Sequence, residues 1–347
     1  MAVIWAQLIV DGESHGPHPF LLQMRCFKTH KVLPGIRLGD CGPKNGLNSI
    51  DNGYIILENV VVPKMNLLGK LGNVNDEGKY ESMIQSKSMR FGLHMSALSG
   101  GRALVAFTVN SLAMVALTIA LRYSSSRKQF DNPKKTDEII LMDYPLTRMR
   151  LLPFFATTIL QHISGRNICY LYLKDTKWMT DMNYVAELHS ISASVKARHS
   201  WNIIQGLPEC RAIMGGHGYS YLSRMASLFN DGDVNNTWEG DNNMLLQQTS
   251  KYLMRAIPNP KHKTSIIDLS FARNDGNVGF EKMIENPRDL NNLKAMVEDL
   301  FRIKYRNAEQ KMTELKERYT EKEHIWYHFH PEAGNSLSLT YGTIELI

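Results

Sequence analysis

Asn235-Asn236-Thr237-Trp238-Glu239-Gly240-Asp241-Asn242-Asn243 places a carboxylate on a tight turn directly before a run without glycine or proline, Met244 to Leu253. That run predicts a helix. Asp241 or Asn242 is predicted to cap it, because short polar side chains accept hydrogen bonds from the free N–H groups of a first turn. An isolated loop glutamate is ordinarily a solvated surface residue. Whether Glu239 has a function therefore depends on the rest of the chain.

The composition is that of a folded protein with a large core. The chain has 347 residues, of which 43% are hydrophobic, and this length allows two or three packed layers or domains. The 40 Lys and Arg residues exceed the 34 Asp and Glu residues only slightly and are spread along the chain, for a net charge of +6. We predict no nucleic-acid partner, while a phosphate-bearing small molecule remains compatible with this charge.

The cysteines and the apolar runs indicate an intracellular chain without a membrane span. Cys26, Cys41, Cys169 and Cys210 form no CxxC pair, which is typical of reduced thiols. The opening residues lack the features of a secretory signal. The longest apolar run, Val105 to Leu121, is interrupted by polar side chains and is shorter than a usual span, so we predict a buried core helix.

Residues 1 to about 85 are predicted to form a small antiparallel β domain. The turn cluster Asp11–Pro17 separates the first two runs. Because the first run begins without a lead-in, we expect part of this sheet to lie upstream of Met1. The predicted strands are Val3–Val10, Pro19–Arg25, Gly53–Leu57 and Val60–Val62.

From residue 86 onward long runs with few breakers predict helices. Gly100 and Gly101 lie inside the first of them, where glycine costs about 1 kcal/mol relative to alanine unless a close approach needs the space. Gly215 and Gly216 are predicted to lie in a glycine-rich loop between helices. The amphipathic region 288–327 predicts a helical hairpin or one long helix. The other predicted helices cover 86–126, 138–176, 180–206 and 242–256.

The fold class predicted from these patterns is α+β. We predict an incomplete β domain over 1–85 and a helical bundle domain over 86–257. A linker over 258–287 and a partial C-terminal helical domain over 288–347 are predicted to follow.

No metal site is predicted. Asp231 to Asn242 begins like a calcium loop, but Asn236 stands where glycine is needed and Asn242 where a bidentate glutamate is needed. The histidines near residue 328 lie close to the end of the chain and have no cysteine near them, so they are not predicted to bind zinc. For Arg127 two interpretations stay open, namely favourable placement at a helix C-terminus and recognition of an anion.

Seven short motifs follow one another along the chain between residue 1 and about residue 256. They are Gly39–Lys44, Asp51–Tyr54, Leu98–Arg102, Ala120–Phe130, Arg150–Pro153, Cys210–Tyr219 and Trp238–Asn243. As an ordered set they resemble the acyl-CoA dehydrogenase/oxidase superfamily. The resemblance is closest to its peroxisomal acyl-CoA oxidases of the branched-chain (pristanoyl) type.

The resemblance implies a flavoenzyme with FAD as cofactor, which oxidises a fatty acyl-CoA to the trans-2-enoyl-CoA and uses molecular oxygen as acceptor. Glu239 matches the catalytic base that removes the α-proton. Arg102 and Gly240 match substrate-binding positions. The resemblance further implies that Arg127, Phe130, Gly215 and Gly216 bind FAD across a subunit boundary, and hence that the chain forms a homodimer.

Peroxisomal localisation is also implied, although the final residues 345–347 are not the usual C-terminal peroxisomal address. Two alternatives stay open. One is a dehydrogenase that passes electrons to a carrier protein. The other is a truncated, non-catalytic subunit, since the family segment that holds the flavin ring is expected upstream of Met1 and the C-terminal helical domain is expected to be only begun.

Overall fold

The computed structural model describes residues 1–96, 99–130, 137–174, 181–259, 264, 266–273, 286 and 288–344. The chain divides into two compact units, residues 1–98 and 99–347. The first unit is mostly β and the second is mostly helical, so the predicted α+β class is confirmed. The four-part domain division stays a prediction, and most of the predicted linker 258–287 lies outside the described residues.

The first unit consists of two-stranded antiparallel pairs and one helix. A two-residue turn joins β1 to β2, with φ values of 51° at Asp11 and 79° at Gly12. A positive φ at both turn residues is typical of the two-residue turn whose twist matches the right-handed twist of a hairpin's strands. The elements are β1 (Ala2–Val10), β2 (Glu13–Leu22), β3 (Ile36–Asp40), β4 (Gly53–Leu57), β5 (Asn73–Val74), β6 (Tyr80–Glu81) and α1 (Lys87–Ser96).

Two predicted strands differ from the structure, and β3 was among the strands not predicted. β2 begins at Glu13, because the turn needs only Asp11 and Gly12 and the predicted turn cluster was too long. Val60–Val62 is not a strand, and Val61 is 94% exposed. β3 was not predicted, because Gly39 looks like a turn residue; in fact it pairs with Tyr54, whose ring occupies the space of the missing side chain.

The second unit is a helical bundle. Its helices are α2 (Ser99–Ser126), α3 (Pro145–Lys174), α4 (Met182–Ile213), α5 (Gly215–Tyr219), α6 (Met225–Asp233), α7 (Asn242–Ala256), α8 (Leu290–Arg318), α9 (Lys322–Phe329) and α10 (Asn335–Ile344). A short strand pair, β7 (Lys128–Gln129) and β8 (Ile139–Ile140), follows α2. The predicted helix 242–256 is confirmed at both ends. Of the two alternatives predicted for 288–327, one long helix is wrong, because the region forms two helices, α8 and α9, separated at residues 319–321.

Aspartate caps begin three of the long helices. The carboxylates of Asp181, Asp241 and Asp289 accept hydrogen bonds from first-turn N–H groups of α4, α7 and α8. Each such cap contributes about 1 kcal/mol, because it satisfies donors that the helix leaves free. The sequence prediction that Asp241 caps α7 is confirmed.

Helix α4 runs through the centre of the bundle and contributes to two apolar clusters. The first joins α2, α3, α4, α7, α8 and α10 around Phe301 and Tyr341, and the second joins α2, α3, α4 and α6 around Leu151 and Leu207. Gly165 of α3 lets α2 approach closely, since a Cβ there would lie 2.9 Å from Cα of Phe107. These contacts fix the helices that carry the site residues.

Among the described helices, α2 is long and apolar enough to cross a membrane over Gly100–Ser126. A core helix passes the same test. In this bundle one side of α2 buries Ala103, Ala106, Val109 and Ala113 against its neighbours.

Candidate active site

Glu239 lies on a turn with an uncommon backbone conformation. Its φ is 55°, and Gly240 follows with a φ of 111°. The left-handed region is unfavourable for a residue with a Cβ by roughly 1–2 kcal/mol, so the surrounding structure has to hold Glu239 there. The turn connects the short 3-10 turn Val234–Asn236 to α7.

The carboxylate of Glu239 rests against Gly101 of α2. A Cβ on Gly101 would lie 2.6 Å from Oε1 and 2.9 Å from Oε2 of Glu239. No other side chain could occupy this helix position without displacing the carboxylate. The sequence prediction that the paired glycines mark a close approach is confirmed for Gly101, whereas a Cβ on Gly100 would meet no described atom within 4 Å.

Arg102, the next residue on α2, holds the turn by its main chain. Its Nε donates to the carbonyl oxygen of Glu239 at 2.8 Å, and its Nη1 donates to Nδ1 of His189 at 2.9 Å. Burial lowers the pKa of Arg102, while the charges of Tyr172 and Glu239 raise it. An arginine remains protonated under such conditions, so a positive charge lies beside the turn.

His189 of α4 acts as a neutral link between Arg102 and Gln248. Because arginine can only donate, Nδ1 of His189 must be the acceptor, and its proton is assigned to Nε2. Nε2 then donates to Oε1 of Gln248 at 2.8 Å. Burial and the charge of Arg102 lower the pKa of His189. Three hydrogen bonds therefore link Gln248 of α7 to His189 of α4, His189 to Arg102 of α2, and Arg102 to the carbonyl oxygen of Glu239.

Lys196 of α4 is fully buried beneath the same turn. Its Nζ donates to the carbonyl oxygen of Gly240 at 2.7 Å and to Oδ1 of Asn242 at 2.9 Å. Burial lowers the pKa of Lys196 to about 8, with Asp241 and Glu239 raising it and Arg102 lowering it. A buried lysine with charge-assisted partners indicates a specific requirement for its ammonium group at this place.

Asn242 completes the support beneath the turn. Its Nδ2 donates to Oγ of Ser200, one turn along α4 from Lys196, at 2.8 Å, and to Oδ1 of Asn236 at 3.3 Å. The amide of Asn242 is thus held on both sides. The Glu239 amide N–H makes none of the described backbone hydrogen bonds outside helices and strands, so it is free to donate to a bound molecule.

A second cluster of predicted site residues lies at the other end of α2. Arg127, Gly215 and Gly216 line one cavity of about 480 Å³. The structure therefore brings together three of the four residues that the resemblance assigns to a cofactor. Phe130 does not line this cavity; it is 64% exposed, and its ring lies 6.4 Å from that of Tyr144.

The Gly215–Gly216 segment is a short helix, α5, so the predicted glycine-rich loop is wrong in conformation. The break from α4 is confined to Met214 and Gly215, and Gly215 has a φ of 58°. A Cβ on either glycine would meet nothing within 4 Å. Both glycines line the same cavity as Arg127, and among the described residues no atom fills the space beside them.

The two clusters are far apart. Arg102 and Arg127 are 25 residues apart along α2, which corresponds to about 37 Å at the rise of an α-helix. The cavity near Arg127 and the Glu239 turn are therefore separate places on one chain.

The sequence did not predict a site role for Lys196, His189 or Gln248, and it named Asn242 only as a possible helix cap and as part of a motif. A signal existed for Lys196, since Ser190 to Ala197 contains no other charge, and a single cation in such a run indicates a buried and paired group. No sequence signal distinguished His189 from other helical histidines. Its role depends on contacts between three helices that only the fold defines.

The chain was compared with known proteins. Residues 95–254 match the acyl-CoA oxidase C-alpha1 domain. The chain is 38% identical over 270 residues to human peroxisomal acyl-coenzyme A oxidase 3, covering 75% of this chain and 38% of that protein. It is 35% identical over 256 residues to mouse peroxisomal acyl-coenzyme A oxidase 1, covering 73% of this chain and 38% of that protein. The chain thus spans little more than a third of these relatives.

Solved structures match nearly the whole chain. Acyl-CoA oxidase-2 of Caenorhabditis elegans, described as bound with FAD, ascaroside-CoA and ATP, superposes with a TM-score of 0.88 at 27% identity, covering 99% of this chain and 51% of that chain. Acyl-CoA oxidase 3 of Yarrowia lipolytica gives a TM-score of 0.84 at 27% identity, with the same coverage.

Proposed function

Because the chain belongs to the acyl-CoA oxidase family, we propose that it takes part in the FAD-dependent oxidation of a fatty acyl-CoA to the trans-2-enoyl-CoA, with molecular oxygen as the acceptor and hydrogen peroxide as the product. The observation that carries the proposal is the position of Glu239, whose carboxylate lies against Gly101 on a turn held by the half-buried Arg102 and the buried Lys196. The same arrangement suits a base that must approach a substrate carbon closely.

Glu239 is proposed as the base that takes the proton from the α-carbon. The α-proton of a thioester is a weak acid, so removal requires hydrogen bonds to the carbonyl oxygen as negative charge develops there. The free amide N–H of Glu239 can supply one such bond. Two C–H bonds break in the reaction and one carbon–carbon π bond forms. Bound FAD would supply the acceptor for the hydride that leaves the β-carbon, and oxygen would take the electron pair onward.

Arg102 and Gly240 are proposed to act on the substrate side of the turn. Nε and Nη1 of Arg102 donate hydrogen bonds to Glu239 and His189. The guanidinium has further N–H donors, which are proposed to bind a phosphate of the substrate's nucleotide. Gly240 keeps the turn narrow, since a Cβ there would lie 2.8 Å from Cδ2 of Leu245. The resemblance assigned these two positions to substrate, and their place beside Glu239 supports that.

Arg127, Gly215 and Gly216 are proposed to bind the phosphate-bearing part of FAD. The guanidinium of Arg127 is exposed at the cavity, and it suits a pyrophosphate because it donates several hydrogen bonds in one plane. The two glycines leave room for backbone to approach such a group. These residues therefore fit part of the cofactor. Phe130 lies outside the cavity and is proposed only as a neighbouring contact.

A homodimer is proposed for a geometric reason. Arg127 lies about 37 Å along α2 from the Glu239 end, which is longer than an extended FAD molecule. A cofactor that serves Glu239 of one subunit therefore cannot also reach Arg127 of that subunit. We propose that it contacts Arg127 of a second copy instead, as the resemblance implies.

The experiment is a flavin spectrum of the purified chain, followed by peroxide release with a fatty acyl-CoA. Glu239→Gln is expected to keep bound flavin and to lose on the order of 10³-fold in rate, as for removal of a general base. The control is Glu314→Gln on α8, an exposed glutamate that pairs with Lys311 and accepts a hydrogen bond from Gln310. A flavin-loaded Glu239→Gln chain with wild-type activity would contradict the assignment.

The same assay separates the remaining alternatives. Oxygen consumption without an added acceptor distinguishes an oxidase from a dehydrogenase that needs a carrier protein. A straight-chain and a 2-methyl-branched acyl-CoA tested side by side decide the branched-chain preference that we propose from the resemblance. Peroxisomal localisation, proposed because the relatives are named peroxisomal, is tested by imaging the tagged gene product in cells.

A further inference from the structure

The turn that carries Glu239 has two consecutive carbonyl groups pointing at cations. Arg102 donates to the carbonyl oxygen of Glu239, and Lys196 donates to that of Gly240. Arg102 reaches the turn from α2 and Lys196 from α4. Two adjacent peptide groups are thus fixed from two different helices.

Lys196 has no outlet to solvent. Its side chain is 0% exposed and is one of the largest fully buried side chains of the chain. Desolvating an ammonium group is costly unless it finds charged or strongly polar partners. The charged groups that face it are Glu239 and Asp241 from the turn and Arg102 from α2. A methionine would fill a similar volume without this cost, so core packing alone does not explain a lysine.

The partners of Lys196 show what the lysine does. The Gly240 carbonyl and the Asn242 side chain belong to the residues that flank Asp241, the cap of α7. Asn242 is in turn fixed by Ser200 of α4. Lys196 therefore ties the end of the turn and the start of α7 to the rigid centre of the bundle.

We propose that Lys196 is a positioning residue for Glu239, which acts through the Gly240 carbonyl and Asn242 to keep the Glu239 carboxylate against Gly101. The lysine does not touch the reacting atoms. It opposes the tendency of Glu239 to leave the left-handed conformation, which a residue with a Cβ does not favour. The inference rests on the proposed function for its effect on catalysis, but its effect on the turn is independent of that function.

The first test needs no substrate. Hydrogen–deuterium exchange of the amides of residues 239–246 is compared between the wild-type chain and Lys196→Met. We expect about tenfold faster exchange in the variant, because two charge-assisted hydrogen bonds are lost. Lys251→Met on α7 is the matched control, since Lys251 is partly exposed and makes none of these contacts, and its exchange should equal that of wild type. A folded Lys196→Met chain with wild-type exchange in this segment overturns the proposal.

Ser200→Ala covers the case in which Lys196→Met does not fold. It removes only the hydroxyl that supports Asn242 and leaves the buried charge intact. Exchange of residues 239–246 should rise by about threefold, in line with the loss of one hydrogen bond. If Lys196→Met is unfolded and Ser200→Ala exchanges like wild type, the proposal is overturned.

The second test uses acyl-CoA turnover. For Lys196→Met we expect kcat to fall by about tenfold or more, with KM within about threefold of wild type, because misplacing a base affects the chemical step more than binding. Lys196→Arg, which keeps charge and donors, should recover part of kcat. Equal losses for both variants, or a loss confined to KM, overturn the positioning role. A wild-type chain without turnover contradicts the proposed function, while the exchange result still decides the role of Lys196.

Discussion

The Glu239–Gly240 turn and the break before α5 at Gly215–Gly216 both contain glycine and a positive φ but are held in different ways. Each contains a left-handed residue, with φ of 55° at Glu239 and 58° at Gly215. Around the first turn, side chains from α2 and α4 fix both carbonyl groups, and a Cβ on Gly240 would collide with Leu245. Around the second, a Cβ would meet nothing within 4 Å.

The difference agrees with the two proposed roles, in which the first turn places a base and the second segment contacts a bound phosphate. A turn that places a base must be preorganised, because small displacements of a reacting group lower the rate strongly. A turn that contacts a phosphate through its backbone needs open space instead. Four substitutions and titrations can break or sharpen this comparison.

The largest effect is expected for Gly101→Ala. The new methyl group would occupy the place of the Glu239 carboxylate, 2.6 Å from Oε1, so the flexible carboxylate moves and the base is misplaced. We expect a loss of at least about 100-fold in turnover, while the free energy of unfolding stays constant or rises by up to about 1 kcal/mol, since alanine favours a helix.

Gly100→Ala is the control for that prediction. It gains the same helix propensity, and its methyl group meets no described atom within 4 Å. Turnover by this variant should match wild type. Equal losses in both variants would mean that the glycines matter for the helix and not for the position of Glu239.

The next effect is a pH dependence of stability caused by Lys196. Its pKa is about 8 in the folded chain against the ordinary 10.5, so between these values the unfolded chain binds more protons. The cost of burying the charge is fully present below pH 8 and is relieved as pH rises to 10.5. Relative to Lys196→Met, the wild-type free energy of unfolding should rise by about 2–3 kcal/mol over this range. Urea titrations at several pH values measure it, and parallel curves for the two chains would contradict it.

A smaller effect is expected for Gly240→Ala. A residue with a Cβ is disfavoured at a φ of 111°, and the methyl group would lie 2.8 Å from Leu245. We expect the free energy of unfolding to fall by about 1–3 kcal/mol. Gly216→Ala, at the open turn, should change it by less than about 0.5 kcal/mol. Thermal or urea unfolding of both variants tests this contrast directly. Similar losses in the free energy of unfolding for the two variants would contradict it.

The smallest effect on stability is expected for Arg127→Met. Arg127 is exposed and has no described side-chain partner, so the free energy of unfolding should change by less than about 0.5 kcal/mol. FAD affinity should nevertheless fall by about tenfold, because charge-assisted hydrogen bonds to a phosphate are lost. Arg122→Met, an exposed arginine nearer the middle of α2, serves as the control in an FAD titration. Unchanged FAD affinity in Arg127→Met would contradict the proposal that this cavity binds the cofactor.

Much of the fold could be predicted because it depends on local patterns. The helix over 242–256 and its Asp241 cap follow from the absence of breakers and from side-chain capping. Strand β3 could not, because its Gly39 is accommodated by the ring of Tyr54 on a partner strand. The conformation of Gly215–Gly216 also differed from the prediction, since two glycines are as compatible with a helix start as with a loop.

Site residues that belong to a sequence motif could be predicted, whereas site residues whose role depends on packing could not. Glu239 and Gly101 were both singled out from sequence, although the contact between them is visible only in the fold. Lys196 was not singled out, because in sequence a lysine on a helix is ordinarily a surface residue. Its burial results from the position of α4 at the centre of the bundle. Buried charges in the middle of a helix are the functional residues that motif reasoning misses most easily.

Helix α2 also sets a rotational phase between the two clusters. The 25 residues from Arg102 to Arg127 correspond to about seven complete turns, so both arginines emerge on nearly the same side. Inserting one residue in the middle of α2 would advance Arg127 by only about 1.5 Å but rotate it by about 100°. Inserting seven would lengthen the helix by two turns and restore the side. The spacing therefore constrains how α2 can change in length. Adding whole turns keeps Arg127 on the same side of the helix as Arg102, but every added turn increases the distance between them.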